Sequence, residues 1–246
     1  MDQRRPARER GSLSTAIRVR YARLRDRLPV ACILCGERSR GGLCQYCRAA
    51  VCRSMDDGRP RCSRCVLRLE DASCPDCRSL TPAFAGVMAA FDYAWPGDLL
   101  IRRLKLEGRY ACAPVLARLL AERCERLPDR SLLMVAPVPA SRRSLALRGF
   151  NPAGEVGREL ARRLQLQWKP EVLQRVRDGT MQKGLKGEDR RREVEGLYAC
   201  TPEVAGRQVL VVDDVMTTGS TLDAIARAAL KEGAAAVWGA VLARTP

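Results

Sequence analysis

The sequence predicts an α/β fold in which helices flank a parallel sheet, with a small cysteine-rich module ahead of it. Apolar strand-like runs alternate with amphipathic helical segments from Phe84 almost to the last residue. Between residues 30 and 80, by contrast, eight of nine cysteines stand in Cys-x-x-Cys pairs that turn residues separate. We therefore expect a basic tail at 1–29, a cysteine module at 30–80 and an α/β domain at 81–246.

The elements of the α/β domain follow from its periodicity and from its glycine and proline punctuation. Strands are predicted at 84–95 (a strand pair or one bent strand), 132–139, 207–214 and 235–244. Helices are predicted at 96–108, 113–127, 152–164 and 220–233, and a basic loop at 140–151. Repeated strand–helix–strand order is typical of parallel pairing.

Composition limits the partners and the compartment. The formal charge is +16, from 44 basic and 28 acidic residues, which favours anionic partners such as phosphates or nucleic acid. The tail is expected either to be disordered or to contact nucleic acid. Twelve cysteines occur without any histidine, so thiolates must supply most ligands of a bound transition metal. The sequence has neither a signal-peptide core nor a membrane-spanning apolar run, so we expect a cytoplasmic protein whose cysteines bind metal.

Two cysteine quartets share one spacing, with eight residues between the pairs in each. The first cysteine cluster is Cys32, Cys35, Cys44 and Cys47, and the second is Cys62, Cys65, Cys74 and Cys77. Two Cys-x-x-Cys knuckles can close a tetrahedral site of four thiolates, the arrangement of structural Zn2+. A segment with so few large apolar residues needs a bound metal ion or a similar cross-link to fold. We expect two structural zinc ions, one within each quartet; an interleaved pairing, an iron–sulfur cluster and a catalytic zinc are the less favoured alternatives.

The sharpest signal is the run VLVVDDVMTTGST at residues 209–221. Its four apolar residues predict a buried strand, and Asp213 and Asp214 follow at the carboxyl end, where open α/β sheets bind ligands. A hydroxyl-rich loop then enters a helix, with the residues Val215, Met216, Thr217, Thr218, Gly219, Ser220 and Thr221. Amides at a helix N-terminus suit a phosphate, and paired acids suit a vicinal diol. Simple capping of the helix by a hydroxyl would account for neither acid.

This run resembles the motif of the type I phosphoribosyltransferases, an apolar strand, two acids and a Thr-Thr-Gly-Ser/Thr loop that binds phosphoribosyl pyrophosphate (PRPP). The resemblance implies that Asp213 and Asp214 form the catalytic acidic pair on the ribose hydroxyls, and that residues 215–221 bind the 5-phosphate. It also implies a type I phosphoribosyltransferase-like parallel sheet with flanking helices, and Mg2+ bound with PRPP. A Walker A motif is excluded because no Gly-Lys-Ser/Thr follows, and a haloacid dehalogenase loop because Val215 replaces the required Asp.

Three further segments resemble the ComF family of competence-associated, amidophosphoribosyltransferase-like proteins. They are the cysteine module, as a double zinc ribbon, the stretch APVPASRRSLALRGFNPA at 136–153, and the segment with Gln182, Leu185 and Arg190. The resemblance covers roughly residues 30–245 and implies a role in DNA uptake and natural transformation. Two departures are Glu193, where the family usually has Asn, and PVPAS, which replaces the commoner PVPLH.

Phosphoribosyl transfer depends on positioning and electrostatics more than on reactive side chains. The expected cations on the pyrophosphate side are Lys105, Arg142, Arg143 and Arg148, and the basic residues 174–193 could close over the site as a hood. Gly149, Phe150 and Asn151 are expected to fix the shape of their loop. Two functions follow. One is a PRPP-dependent transferase of unknown acceptor, in DNA uptake or nucleotide-linked metabolism. The other is a non-catalytic, PRPP-sensing accessory factor that binds single-stranded DNA and works with competence proteins.

Overall fold

The computed structural model of the chain describes residues 24, 26–71, 73–127, 130–177 and 196–246. Most of the basic tail and most of the expected hood lie outside these residues. So do four positions named in the family resemblance, which are Gln182, Leu185, Arg190 and Glu193.

The described part of the chain contains both strands and helices, but they do not strictly alternate. The strands are β1 Pro29–Ala31, β2 Arg38–Arg40, β3 Gly86–Asp92, β4 Leu133–Pro137, β5 Gln167–Trp168, β6 Leu173–Arg175, β7 Tyr198–Cys200, β8 Gln208–Met216 and β9 Ala236–Arg244. The helices are α1 Gln45–Cys52, α2 Pro75–Leu80, α3 Gly97–Lys105, α4 Cys112–Arg123, α5 Arg142–Arg148, α6 Pro152–Leu164 and α7 Ser220–Lys231.

The central sheet has five parallel strands in the order β3-β9-β8-β4-β5. Helices cover both of its faces, which is why its strands are nearly continuous apolar runs. Leu210 and Val212 of β8 belong to one core, together with α3, α4 and α6, whereas Val209 and Val211 belong to the other core, together with α7. Successive side chains of a strand point to opposite faces, so β8 contributes to both cores. The predicted α/β class is confirmed.

Residues 84–95 form one strand, Gly86–Asp92, which is one of the two predicted alternatives. One element differs from the sequence prediction. The predicted basic loop at 140–151 contains α5. Ser141 caps the N-terminus of this helix, because its hydroxyl accepts a hydrogen bond from the Ser144 amide at 3.1 Å. Gly149 ends this helix with a φ of 74°, a left-handed conformation that glycine adopts without strain. The short helix therefore owes its limits to local capping residues.

The two cysteine quartets fold alike. In each, a short helix begins directly after the third cysteine, α1 after Cys44 and α2 after Cys74. Buried residues of the first quartet join the core on the α4 side of the sheet, and those of the second join the core on the α7 side. The cysteine segment thus packs on the α/β part through both cores, and the expected boundary between 80 and 81 stays a prediction.

Candidate functional site

A crevice opens at the carboxyl ends of β4 and β8. The chain leaves β4 toward β5 on one side of the sheet and leaves β8 toward β9 on the other. Such a reversal of strand order is where open α/β sheets bind ligands, because the two connecting loops diverge and leave a gap between them. A cavity of about 380 Å³ occupies this gap. The acidic pair predicted from the sequence lines it.

The acidic pair, Asp213 and Asp214, lies near the end of β8. The Asp214 amide donates to Asp213 Oδ1 at 2.8 Å, and Lys105 Nζ of α3 lies 2.8 Å from Asp214 Oδ2. Burial, reinforced by the neighbouring charge of Asp214, raises the pKa of Asp213 to about 7. Asp213 therefore changes charge near neutral pH, whereas Asp214 is held by a lysine.

The loop after the acidic pair turns sharply into α7. Gly219 adopts a φ of +82°, and a Cβ atom there would lie 2.6 Å from Met216 Cε. The helix begins at Ser220, after Thr217, as the sequence predicted. Thr218 Oγ1 lies 3.1 Å from Ser220 Oγ, so the loop hydroxyls gather at the helix N-terminus. Amides and hydroxyls at the positive end of a twelve-residue helix suit an anion.

The cavity brings together most, but not all, of the residues that the sequence singled out. From the 215–221 loop, all but Thr218 line it. Lys105 and Arg148 also line it, whereas Arg142 and Arg143 do not. The reason is that residues 142–148 form a helix, so only the face with Ser141, Ser144 and Arg148 turns toward the cavity. Arg142 and Arg143 are exposed on its other faces.

Two further lining residues lie on the opposite side: Arg175, which falls within the predicted hood, and Tyr198, which sequence reasoning missed. Arg175 of β6 and Tyr198 of β7 face each other in antiparallel register and both line the cavity. The Arg175 guanidinium lies 5.8 Å from the centre of the Tyr198 ring, within reach of a cation–π interaction. Their pairing joins residues far apart in the chain, so no local pattern indicated it.

Residues 149–151 hold the loop in place, as predicted. Asn151 Nδ2 donates to the Val138 carbonyl at 2.9 Å, while its Oδ1 accepts from the Ala153 amide at the start of α6. Phe150 is buried and packs on Tyr110, with 4.7 Å between ring centres. These contacts join the segment after β4, which lines the cavity, to the segment after α3.

Comparison with known proteins shows the family. A model described as phosphoribosyl transferase domain matches residues 146–246. DNA utilization protein YhgH from Escherichia coli O157:H7 is 34% identical over 225 residues, covering 83% of this chain and 97% of that protein. Competence protein F from Haemophilus influenzae is 29% identical, covering 82% of this chain and 90% of that protein. The chain belongs to the ComF family.

The ComF relationship extends well beyond the residues that match the phosphoribosyl transferase domain. DNA utilization protein YhgH from Salmonella typhimurium is 32% identical, covering 89% of this chain and 98% of that protein. The match runs from the last turn of α5 to β9, so β8 and the loop after it, on one side of the crevice, belong to a fold of that class. The family and fold expected from the sequence are confirmed.

The cysteines of this ComF chain gather as the spacing predicted. Within each quartet the four Sγ atoms lie within 4.8 Å of one another. Four thiolates at about 2.3 Å from a tetrahedral Zn2+ would be about 3.8 Å apart. The distances are 3.7 Å for Cys35–Cys44, 3.7 Å for Cys62–Cys77 and 3.5 Å for Cys65–Cys74. The residues present therefore fit two zinc ions, one within each quartet.

One thiol in each cluster has a lowered pKa. Burial opposes the charge of Cys32, but backbone amides of Cys35 and Cys44 outweigh it and lower the pKa of the thiol to about 6. In the same way, burial of Cys62 is outweighed by amides of Cys65 and Arg64, which lower its pKa to about 7. Metal binding needs thiolates, so both clusters offer a first ligand at neutral pH. Among the described residues of this ComF chain, every helix is too short or too polar to cross a bilayer.

Proposed function

We propose that this ComF-family chain binds PRPP in the crevice between β4 and β8. Val215 to Thr221 hold the 5-phosphate, and Asp213 and Asp214 accept hydrogen bonds from the ribose hydroxyls. One observation supports this most directly: the acidic pair and the start of α7 line the same cavity. Its volume of about 380 Å³ falls in the range of small-molecule sites.

The pyrophosphate faces the cations of the same cavity. Lys105, Arg148 and Arg175 line it, and they would neutralise charge that grows on the leaving pyrophosphate. Mg2+ bound with PRPP would supply the remaining positive charge. Arg148 lies on the capped helix α5 and Arg175 on strand β6, so both are positioned before the ligand binds. Positioning of the reactants would then account for most of the rate enhancement.

The chain then acts as a phosphoribosyltransferase on an acceptor that we leave open, in the uptake and use of DNA. Its relatives are named DNA utilization protein and Competence protein F, which supports this setting. Two cysteine clusters with the geometry of metal sites favour a reducing compartment, the cytoplasm. Pyrophosphate release from PRPP, measured across a panel of nucleobases, amines and oligonucleotides, tests the transfer.

A second function is a PRPP-sensing accessory factor without catalysis that binds single-stranded DNA. Exposed arginines favour it, because Arg142 and Arg143 point away from the cavity and are free to meet phosphates of a nucleic acid. This function predicts PRPP binding without turnover. It also predicts DNA binding that weakens steeply with salt and is lost when Arg142 and Arg143 become glutamine.

Calorimetric titration with PRPP and Mg2+ tests the binding site that both functions share. We expect micromolar affinity for PRPP, and affinity at least about 30-fold weaker in the Asp213→Asn, Asp214→Asn double variant, since two charged acceptors are lost. Glu171→Gln, a change of an exposed carboxylate, serves as the matched control. Unaltered PRPP binding by the double variant would refute the assignment of the acidic pair.

A further inference from the structure

Arg244, the last residue of β9, is only 1% exposed although it carries a full charge. A buried guanidinium is tolerated when several acceptors surround it, because desolvation otherwise costs several kcal/mol. The groups that Arg244 contacts come from two places that the sequence keeps far apart. One is the second cysteine cluster, and the other is the end of β8, where the 215–221 loop begins.

On the cysteine side, Arg244 is held by two groups. Nη2 lies 2.5 Å from Asp76 Oδ2, and Nε donates to the Cys65 carbonyl at 3.3 Å. Asp76 stands between Cys74 and Cys77, so two cysteines of the quartet fix its backbone. A zinc ion bound by that quartet would thus hold the carboxylate in place.

On the loop side, Arg244 reaches the backbone. Nη1 donates to the Met216 carbonyl at 3.4 Å and to the Thr245 carbonyl at 2.7 Å. The amide and hydroxyl of Thr245 also donate to the Met216 carbonyl, at 3.0 and 3.2 Å. The Met216 carbonyl belongs to the peptide that joins Met216 to Thr217, so these donors fix the orientation of a peptide within the 215–221 loop.

We propose that Arg244 is a positioning residue through which the second cysteine cluster sets the geometry of the phosphate-binding loop. The inference rests on the proposed function, since it assigns the 5-phosphate to that loop. Asp76 orients the Arg244 guanidinium, and the guanidinium orients the Met216 carbonyl. The orientation of this peptide then determines where the following amides of the loop point. The zinc module is then a part of the PRPP site rather than a separate attachment.

A neighbouring ion pair also joins the cysteine segment to the sheet but does not contact the phosphate-binding loop, so it serves as a comparison. Arg61, from the same cysteine segment, binds Asp92 at the end of β3 with two hydrogen bonds of 2.9 and 2.7 Å. Its other acceptors are the carbonyls of Val66 and Ser54, which lie outside the loop. Both arginines join the cysteine segment to the same edge of the sheet, but Arg244 also contacts the loop.

The test compares Asp76→Asn and Arg244→Lys with the control Arg61→Lys in the full-length, zinc-loaded chain. Calorimetry measures the Kd of PRPP with Mg2+, of ribose 5-phosphate and of pyrophosphate, and a metal assay counts zinc. We expect both test variants to bind PRPP and ribose 5-phosphate about tenfold more weakly, an effect of the size seen when residues that couple two sites are changed. Their pyrophosphate affinity and zinc content should stay as in the wild type. Arg61→Lys should lower the unfolding midpoint but leave ribose 5-phosphate affinity as in the wild type.

The outcomes separate the two proposals. Wild-type protein that binds neither PRPP nor ribose 5-phosphate would overturn the proposed function and this inference with it. Wild-type binding that Asp76→Asn leaves intact would overturn the inference alone, as would equal weakening by Arg61→Lys. Asp76 is 29% exposed, so its amide replacement is expected to fold even where a change at the buried Arg244 prevents folding.

Discussion

Lys105 Nζ lies 2.8 Å from Asp214 Oδ2, so one member of the acidic pair has a cationic partner before any ligand arrives. The same lysine also lowers the pKa of Asp213, against the stronger effects of burial and of Asp214. Lys105, at the end of α3, thus influences the charge of the acidic pair near the end of β8. Lys105 partly offsets the electrostatic repulsion between the two carboxylates.

Lys105→Met should weaken PRPP binding about tenfold at pH 7, because a charged hydrogen-bond donor is lost and the pKa of Asp213 rises further. Titration at higher pH should recover part of the affinity, since Asp213 is then ionised in the variant too. Lys105→Arg keeps the charge and serves as the control. Equal affinity for the methionine variant and the wild type at pH 7 would show that Lys105 takes no part in binding.

Asp213→Asn should stabilise the ligand-free protein at pH 8 while it weakens PRPP binding. The pKa of Asp213 is about 7 in the folded chain, against 3.8 for the ordinary group. The folded state therefore binds the extra proton between these values, and stability contributed by Asp213 falls as pH rises from about 4 to 7. The asparagine removes this loss, which at about 1.4 kcal/mol for each pKa unit is at most about 4 kcal/mol at pH 8.

Urea unfolding at pH 5 and pH 8 measures the effect of Asp213→Asn. The difference in unfolding free energy between variant and wild type should be larger at pH 8, because only there is the Asp213 carboxylate of the folded wild type ionised. The exposed Glu125→Gln is the control, and it should show the same small difference at both values. A variant that gains no stability on going from pH 5 to pH 8 would contradict the raised pKa.

Local patterns were enough to predict β8, the loop after it, the start of α7 and the grouping of the cysteines. Each of these depends on residues within about a dozen positions, such as the acids after an apolar run or pairs at fixed spacing. The remaining features depend on packing. Residues 140–151 read as a basic loop because their charge hides the Ser141 cap, and the contact of Arg175 with Tyr198 spans residues that no local period connects.

The zinc content should be about two ions per chain, one in each cysteine cluster. Cys65→Ser should reduce the count to about one, because three thiolates and a hydroxyl bind zinc much more weakly than four thiolates. Cys200→Ser is the control, since Cys200 belongs to neither cluster, and it should keep both ions. About one ion in the wild type would refute pairing within each quartet.

Gly219→Ala should lower PRPP affinity by more than about tenfold, because its φ of +82° disfavours any Cβ atom and the added atom would lie 2.6 Å from Met216 Cε. Relief of that contact must move the loop that would receive the 5-phosphate. Gly206→Ala is the matched control, since Gly206 has a φ of +68° with nothing within 4 Å of an added Cβ. Both variants should lose about 1–2 kcal/mol of unfolding free energy to backbone strain, but only Gly219→Ala should change PRPP affinity. Calorimetry on both variants separates the two effects, and equal affinities would show that the conformation of the turn at Gly219 does not matter for binding.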